Sequence, residues 1–168
     1  LGDQGAGDRT GDGDAAFLHV GFVLADDPVE ISAFTQSAGM AGAGLEDGAM
    51  CVWRFKSGVI AQSHEGFTTK YAHTGFEVHG TEGSLFAKDV MTQKPVGSVT
   101  LRTAKGEEEL TFDREDLYTR SLKAFHAAIR GEGRPSATGE DGVWSLCCAE
   151  AALESARTGR AVKIEPGI

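Results

Sequence analysis

The chain has 168 residues, of which 40% are hydrophobic and 24% are charged, and its formal net charge is −9. These values are typical of a single globular domain that is large enough to form a hydrophobic core. An acidic chain lacks the basic patches that non-specific binding to nucleic acid or to an anionic membrane requires, so these partners are excluded. No stretch approaches the roughly 20 apolar residues of a membrane-spanning helix, and no secretory signal pattern is visible.

The three cysteines are Cys51, Cys147 and Cys148. Their number is odd and two are adjacent, which is unlike a disulfide framework, and the spacing of a zinc site is absent. The adjacent pair falls in a predicted helix, where free cysteine acts as a small hydrophobic residue. We therefore expect free thiols, no bound metal and a reducing, cytoplasmic location.

The first 13 residues, LGDQGAGDRTGDG, are almost all glycine, aspartate and small polar residues. Such a composition cannot bury hydrophobic surface, so a disordered leader is predicted over 1–13 and one folded domain over 14–168. Because the chain opens on leucine and not on methionine, we expect a processed, trimmed or partial product from which an upstream portion is missing. A short helix is predicted over 15–24, and alternating apolar and polar residues predict a strand over 29–34.

From residue 49 onward the sequence has the pattern of short strands joined by tight turns. Three hairpins are predicted at the glycine-containing turns 56–58, 80–83 and 104–106. Alternation assigns the side chains of the first strand to two faces. One face carries Ala49, Cys51, Trp53 and Phe55, and the other carries Met50 and Val52 together with Ile60 of the next strand.

The last third of the chain changes to a helical period. Residues 113–116 resemble a capping box and open a predicted helix that Gly131 ends. A second capping box at 138–141 opens an alanine-rich helix that Gly159 ends. Strands followed by helices, without βαβ alternation, predict an α+β fold with a mostly antiparallel open sheet of about six strands and helices packed on one face.

Four stretches carry a recognisable pattern: GVIAQSHEGF at 58–67, GFEVHGTEGSLFAKDVMTQKPVGSVTLR at 75–102, LKAFHAAIRGEGRPSATGEDGVWSL at 122–146 and SARTGRAV at 155–162. Together they resemble the C-terminal domain of the Gfo/Idh/MocA family of NAD(P)-dependent sugar oxidoreductases. The resemblance covers the chain from about residue 23 to its end.

The resemblance implies a two-domain enzyme that transfers a hydride between a nicotinamide and a keto or anhydro sugar. An N-terminal Rossmann domain would bind NAD or NADP, and the C-terminal domain would supply the substrate side. No GxGxxG follows a strand in this sequence, so we expect a missing Rossmann domain and no cofactor binding by this chain alone. The open sheet face is expected to form a homodimer, since a sheet that is apolar on both faces needs two covers.

The family's catalytic histidine belongs on the first helix of this domain, in the pattern Asp-x-x-x-His-x-x-Asp. A histidine can carry the proton of the reaction, and a carboxylate can orient it. An alignment without gaps places Ala15 at the histidine position. With one inserted residue, Asp14 falls at the first aspartate position and His19 at the histidine position. Five residues apart on a helix, these two side chains would be about 140° apart and would not share a face.

The first 20 residues thus depart from the family, and we expect that they do not encode its native segment. His19 is a candidate acid/base with Asp14 as its orienting group, and the alternative is a histidine on a partly buried helix. Three functional hypotheses follow from the sequence. The chain is part of an oxidoreductase and inactive alone, a truncated non-enzymatic homologue that self-associates, or a small-sugar-binding domain.

Overall fold

The computed structural model describes residues 26–37, 45–67, 69, 71–92 and 94–165. The predicted leader, the predicted helix at 15–24 and the candidate residues Asp14 and His19 lie outside these residues. The described chain forms two compact units, the first from residues up to 70 together with 137–165, and the second from residues 71–136.

The described elements are eight strands and two helices. In chain order they are β1 (Pro28–Gln36), β2 (Gly48–Phe55), β3 (Ile60–Gly66), β4 (Gly75–His79), β5 (Gly83–Lys88), β6 (Ser98–Thr103), β7 (Gly106–Leu110), α1 (Leu117–Ile129), α2 (Gly139–Thr158) and β8 (Val162–Lys163). None of the helices in this part of the chain is long and apolar enough to cross a membrane.

The first unit is an antiparallel sheet of order β3-β2-β1-β8 with α2 packed against β1 and β8. Its inward positions alternate along each strand, as the period of two requires. The buried core consists of Ile31, Ala33, Cys51, Trp53, Phe55, Cys148, Ala151, Ala152 and Ile164. The predicted inward face of β2 is therefore confirmed, and burial of these side chains from water drives the packing of this unit.

Ser155 joins α2 to the sheet by hydrogen bonds. Its side chain is 1% exposed. The hydroxyl Oγ accepts a hydrogen bond from the backbone N–H of Ala33 at 2.9 Å and donates one to the carbonyl oxygen of Arg160 at 2.7 Å. Buried backbone groups need partners, so this one hydroxyl stabilises both the strand and the end of the helix.

Replacing Ser155 with alanine is expected to lower the free energy of unfolding by about 1–3 kcal/mol, because the Ala33 N–H and the Arg160 carbonyl both lose a buried partner. Urea denaturation of the whole chain measures this loss. Ser145→Ala on the same helix is the matched control and should cost much less. Equal losses in the two variants would show that the Ser155 hydroxyl adds nothing.

The second unit is an antiparallel sheet of order β4-β5-β6-β7, followed in the chain by α1. Pairing places Phe76 and Val78 on one face and Glu77 and His79 on the other, as alternation predicted. Helix α1 buries none of its residues fully. Its apolar positions Tyr118, Leu122, Phe125 and Ile129 are all more than half exposed.

The α+β class and the antiparallel pairing are confirmed, and the strands divide into two four-stranded sheets instead of one sheet of about six. β3 ends at Gly66 and β4 begins at Gly75, and this connection is too long for a tight hairpin. The two strands therefore do not pair as a hairpin, and each ends a different sheet. Residues 162–163 of the C-terminal tail add β8 to the first sheet.

The capping box predicted at 113–116 is wrong. The N-cap of helix α1 lies three residues later, at Asp116, and the Asp116 carboxylate accepts from the Thr119 N–H at 2.9 Å. Arg114 is instead engaged with the backbone of the loop before β6. The box at Thr138 and Asp141 is confirmed, because each side chain accepts from the other residue's backbone N–H.

Candidate functional site

The catalytic pair predicted from the sequence, Asp14 and His19, lies outside the described residues, so its role stays a prediction. The described surface feature with the clearest functional character is the side of the first sheet opposite α2. We call it the open face; it comprises Glu30, Ser32 and Phe34 of β1, Met50, Val52 and Arg54 of β2, and Ile60, Gln62 and His64 of β3.

The open face is an ordered grid of three rows, because the strands pair in register. Cross-strand partners form the rows Glu30–Arg54–Ile60, Ser32–Val52–Gln62 and Phe34–Met50–His64. Its four large apolar side chains are each more than half exposed. The prediction that Met50, Val52 and Ile60 share the face away from the core is therefore confirmed. Contiguous exposed apolar surface of this kind marks an interaction site.

The open face carries almost none of the charge of this acidic chain. Its single carboxylate, Glu30, accepts a hydrogen bond from Arg54 Nε at 3.0 Å, and the two formal charges cancel. Lys163 of β8, the other cross-strand neighbour of Glu30, lies at the edge of this face. A chain with a net charge of −9 repels a second copy through most of its surface. At the open face this repulsion is absent, so the face suits contact with another copy of the chain.

A polar chain of side chains lies on the inner side of the same sheet and was not predicted from the sequence. The buried indole N–H of Trp53 donates to Ser63 Oγ at 3.0 Å, and Ser63 Oγ donates to Glu65 Oε2 at 3.4 Å. Burial raises the pKa of Glu65, against the smaller lowering by Ser63 and His64. Alternation along β3 was the available signal, since it places Ser63 and Glu65 inward.

Glu65 is expected to cost stability at neutral pH. Because its folded pKa is raised, the folded state binds the proton more tightly than the unfolded state does, and stability falls as pH rises through that pKa. Glu65→Gln should therefore raise Tm at pH 7.5, and the gain should vanish near pH 4. Thermal denaturation at both values measures this. Glu109→Gln, at an exposed position of β7, is the control, and an equal pH-independent shift in both variants would refute the assignment.

The three thiols are free in this structure, as predicted. Burial raises the pKa of Cys51 to about 11 and that of Cys148 to about 12. The thiolate is the reactive form of cysteine, so these two residues are inert core residues at neutral pH.

The exposed face of the second sheet carries a polar cluster around an aromatic ring. The Phe86 ring meets the edge of His79, with centroids 5.6 Å apart, and the Arg102 guanidinium lies 4.7 Å above it. Arg102 also donates to Glu107 at 2.7 Å, and His79 contacts Glu77 and Ser84. Every charge in this cluster has a local partner, which is typical of a stable solvent-exposed strand face.

The described residues do not fit a nicotinamide dinucleotide or a metal ion. A dinucleotide site requires a glycine-rich turn from a strand into a helix, and the β7–α1 connection, residues 111–116, contains no glycine. Across the ranges that the structure describes, no group of three or more His, Cys, Asp or Glu side chains is placed to hold a metal. We therefore derive no catalytic step through either group in this part of the chain.

Residues 19–164 match the C-terminal alpha/beta domain of the Gfo/Idh/MocA oxidoreductase family. The chain belongs to this family, which confirms the resemblance of its motifs and its α+β fold. The matched range begins at His19 and leaves Asp14 outside it.

Within the family, the stretches QSAGM, LEDG, VMTQKPVG and SATGEDGVWSL predict a resemblance to 1,5-anhydro-D-fructose reductase. The comparison confirms this, since the chain is 61% identical over 147 residues to that enzyme of Ensifer adhaerens, covering 88% of this chain and 44% of the relative. It is 29% identical over 116 residues to D-xylose 1-dehydrogenase (NADP(+)) 2 of Haloferax volcanii, covering 68% of this chain and 35% of that protein. The chain thus spans less than half the length of these relatives.

Solved structures share the fold. An aldose-aldose oxidoreductase from Caulobacter crescentus, in complex with glycerol, superposes with a TM-score of 0.78 at 18% identity, covering 88% of this chain and 44% of its own. A probable dehydrogenase from Thermotoga maritima superposes with a TM-score of 0.68 at 28% identity, covering 90% of this chain and 47% of its own.

Proposed function

We propose that this chain is the substrate-side and dimerisation domain of an NAD(P)H-dependent reductase acting on 1,5-anhydro-D-fructose or a closely related keto sugar. The observation that carries the proposal is the 61% identity to the Ensifer adhaerens reductase over 147 residues. The cofactor, NADP or NAD, would be bound by an N-terminal Rossmann domain that is not part of this sequence. The 168-residue chain alone would then bind no nicotinamide and catalyse no turnover. The free thiols favour a reducing cytoplasm.

Proton transfer in this proposal is assigned to His19. An imidazole near the reacting sugar oxygen would donate or accept the proton that accompanies hydride transfer, and Asp14 would orient it. The family pattern has a separation of four residues where this chain has five, so Asp14 would reach the imidazole only where the backbone between them departs from a regular helix.

The open face is proposed as the homodimer interface. Two observations support this: the large apolar side chains of its rows are exposed, and the charges of Glu30 and Arg54 cancel. Two copies related by a two-fold axis would present the same surface to each other, so the apolar side chains of each copy would be covered by the open face of the other.

A chimera tests the proposed reaction. The N-terminal half of the Ensifer adhaerens reductase, which the present chain does not match, is fused ahead of Leu1, and NADPH oxidation is followed with 1,5-anhydro-D-fructose. Turnover is the expected result, with the parent reductase as the positive control. A chimera that is folded and binds NADPH but does not reduce the sugar would contradict the proposal.

The same chimera tests His19. His19→Gln is expected to lower kcat by roughly 10²–10⁴-fold, the usual contribution of a general acid/base. His126→Gln, on the exposed surface of α1, is the matched control and should leave kcat unchanged. If the two variants have the same kcat, His19 does not carry the proton.

The second candidate function is a non-enzymatic homologue that self-associates or binds a small sugar. It is favoured by two observations: residues 1–18 lie outside the family match, and the histidine pattern departs from that of the family. Calorimetry with NADPH and a thermal shift with 1,5-anhydro-D-fructose, both on the chain as it stands, separate the cases. A sugar-induced rise in Tm without NADPH binding favours a sugar-binding domain.

A further inference from the structure

The described histidines differ in the charges that surround them. His73 Nδ1 lies 3.2 Å from Asp89 Oδ1, and His79 Nε2 lies 3.2 Å from Glu77 Oε2. His64 lies on the open face and, among the residues that the structure describes, makes no ion pair or side-chain hydrogen bond. A proton on His73 or His79 has a carboxylate within hydrogen-bonding distance, whereas His64 has none there; the Glu65 carboxylate interacts with it electrostatically from the opposite face of the sheet.

The neighbours of His64 on the open face are apolar. Its cross-strand partner is Met50, and Phe34 completes the same row. Glu30 and Arg54 pair with each other two rows away, or roughly 13 Å along the strands, and Lys163 of β8 is the other cross-strand neighbour of Glu30. On β3 itself, the adjacent Glu65 points to the opposite face of the sheet.

Covering this face with a second copy places His64 against an apolar side chain. Face-to-face sheets pack with nearly aligned strands. For a two-fold axis through Val52 along the strands, rows face like rows and His64 lies opposite Phe34 of the other copy. For an axis across the strands, β3 faces β3 and His64 lies opposite Ile60 of the other copy. Neither arrangement supplies a carboxylate.

We infer that protonation of His64 weakens self-association through the open face, so that the dimer dissociates on mild acidification. The inference rests on the proposed dimer and adds its regulation. A neutral imidazole can be covered by apolar groups at modest cost, but a charged imidazole loses its water and gains no counter-ion from the second copy. Histidine changes charge between pH 8 and 5, so the effect falls in that range.

Sedimentation equilibrium of the whole chain at pH 7.5 and pH 5.5, at constant ionic strength, tests the inference. Each dimer covers two copies of His64, so the cost of burying a charged imidazole is incurred twice, and Kd is expected to rise by about tenfold or more at pH 5.5. His64→Gln should form a dimer whose Kd is the same at both values. His126→Gln is the matched control and should keep the full pH dependence.

The outcomes separate this inference from the dimer on which it rests. A chain that is monomeric at pH 7.5 overturns both the proposed interface and its regulation. A dimer whose Kd is unchanged or lower at pH 5.5 overturns the regulation alone. The regulation is also overturned if the Kd of His64→Gln still depends on pH. If the pH dependence is lost in Glu30→Gln but kept in His64→Gln, the effect belongs to the Glu30 carboxylate.

Discussion

Gly97→Ala is expected to destabilise the chain by about 3 kcal/mol or more, the largest stability loss predicted for a single methyl group here. Gly97 has φ = +90°, a conformation that residues with a side chain rarely adopt. A Cβ at this position would clash with the carbonyl oxygen of Lys88 and would lie 2.7 Å from that of Asp89. Both contacts are with backbone, so relief requires the two chain segments to separate.

The segments around Gly97 are held from both sides, which is why relief is costly. The Arg114 guanidinium donates to the carbonyl oxygens of Pro95 at 3.0 Å and of Gly97 at 2.8 Å. The Asp89 N–H donates to the carbonyl oxygen of Thr74 at 2.7 Å. Separating the chain at Gly97 would therefore break hydrogen bonds that hold the loop to the second unit.

Urea denaturation of both Gly97→Ala and Gly106→Ala separates two contributions to the loss of stability. Gly97→Ala adds a steric clash to the backbone strain, whereas Gly106→Ala adds backbone strain alone. Gly106 has φ = +124°, and a Cβ there would meet nothing within 4 Å. Its replacement should cost only about 1–2 kcal/mol of conformational energy. Losses of equal size in the two variants would show that the close approach of Gly97 to Lys88 is relieved without cost.

Val52→Asp is expected to raise the Kd of the proposed dimer by more than about 100-fold while leaving the chain folded. Val52 occupies the centre of the open face, between Ser32 and Gln62, and is 52% exposed in the single chain. In the free chain the carboxylate stays in water. In a two-fold dimer, two carboxylates would lose that water at the centre of the interface.

Leu146→Asp is the matched control for the interface. Leu146 is 60% exposed on α2, which packs on the opposite side of the sheet, so its replacement adds the same charge away from the open face. Analytical ultracentrifugation at pH 7.5 should show a monomer for Val52→Asp and a dimer for Leu146→Asp and the unmodified chain. A dimer of unchanged Kd in Val52→Asp would locate self-association elsewhere.

Much of the candidate interface could be predicted from the sequence because its signal is local. The alternation in AMCVWRF alone assigns Met50 and Val52 to one face and Trp53 to the other. What alternation cannot supply is the register with β1 and β3. That pairing brings Phe34 and His64 into one row with Met50, and it depends on contacts between residues far apart in the chain.

Glu65 shows the same division between local pattern and distant contact. Its inward position on β3 follows from the period of two, but its raised pKa does not. That shift results from burial in the folded unit, which the hydrogen bond from Ser63 only partly offsets. A glutamate in a strand is ordinarily solvated, so its residue type gave no indication of burial.

The sequence by itself determined the family, the α+β class, the hairpins and the helix stops, because turns, caps and periodicity are properties of residues within a few positions of one another. Only the tertiary structure decided the division into two sheets and the N-cap at Asp116. It also decided the Ser155–Ala33 bond, which joins residues 122 positions apart. Such pairings are selected by the packing of the whole unit, since each distant contact forms only after many others have brought its partners together.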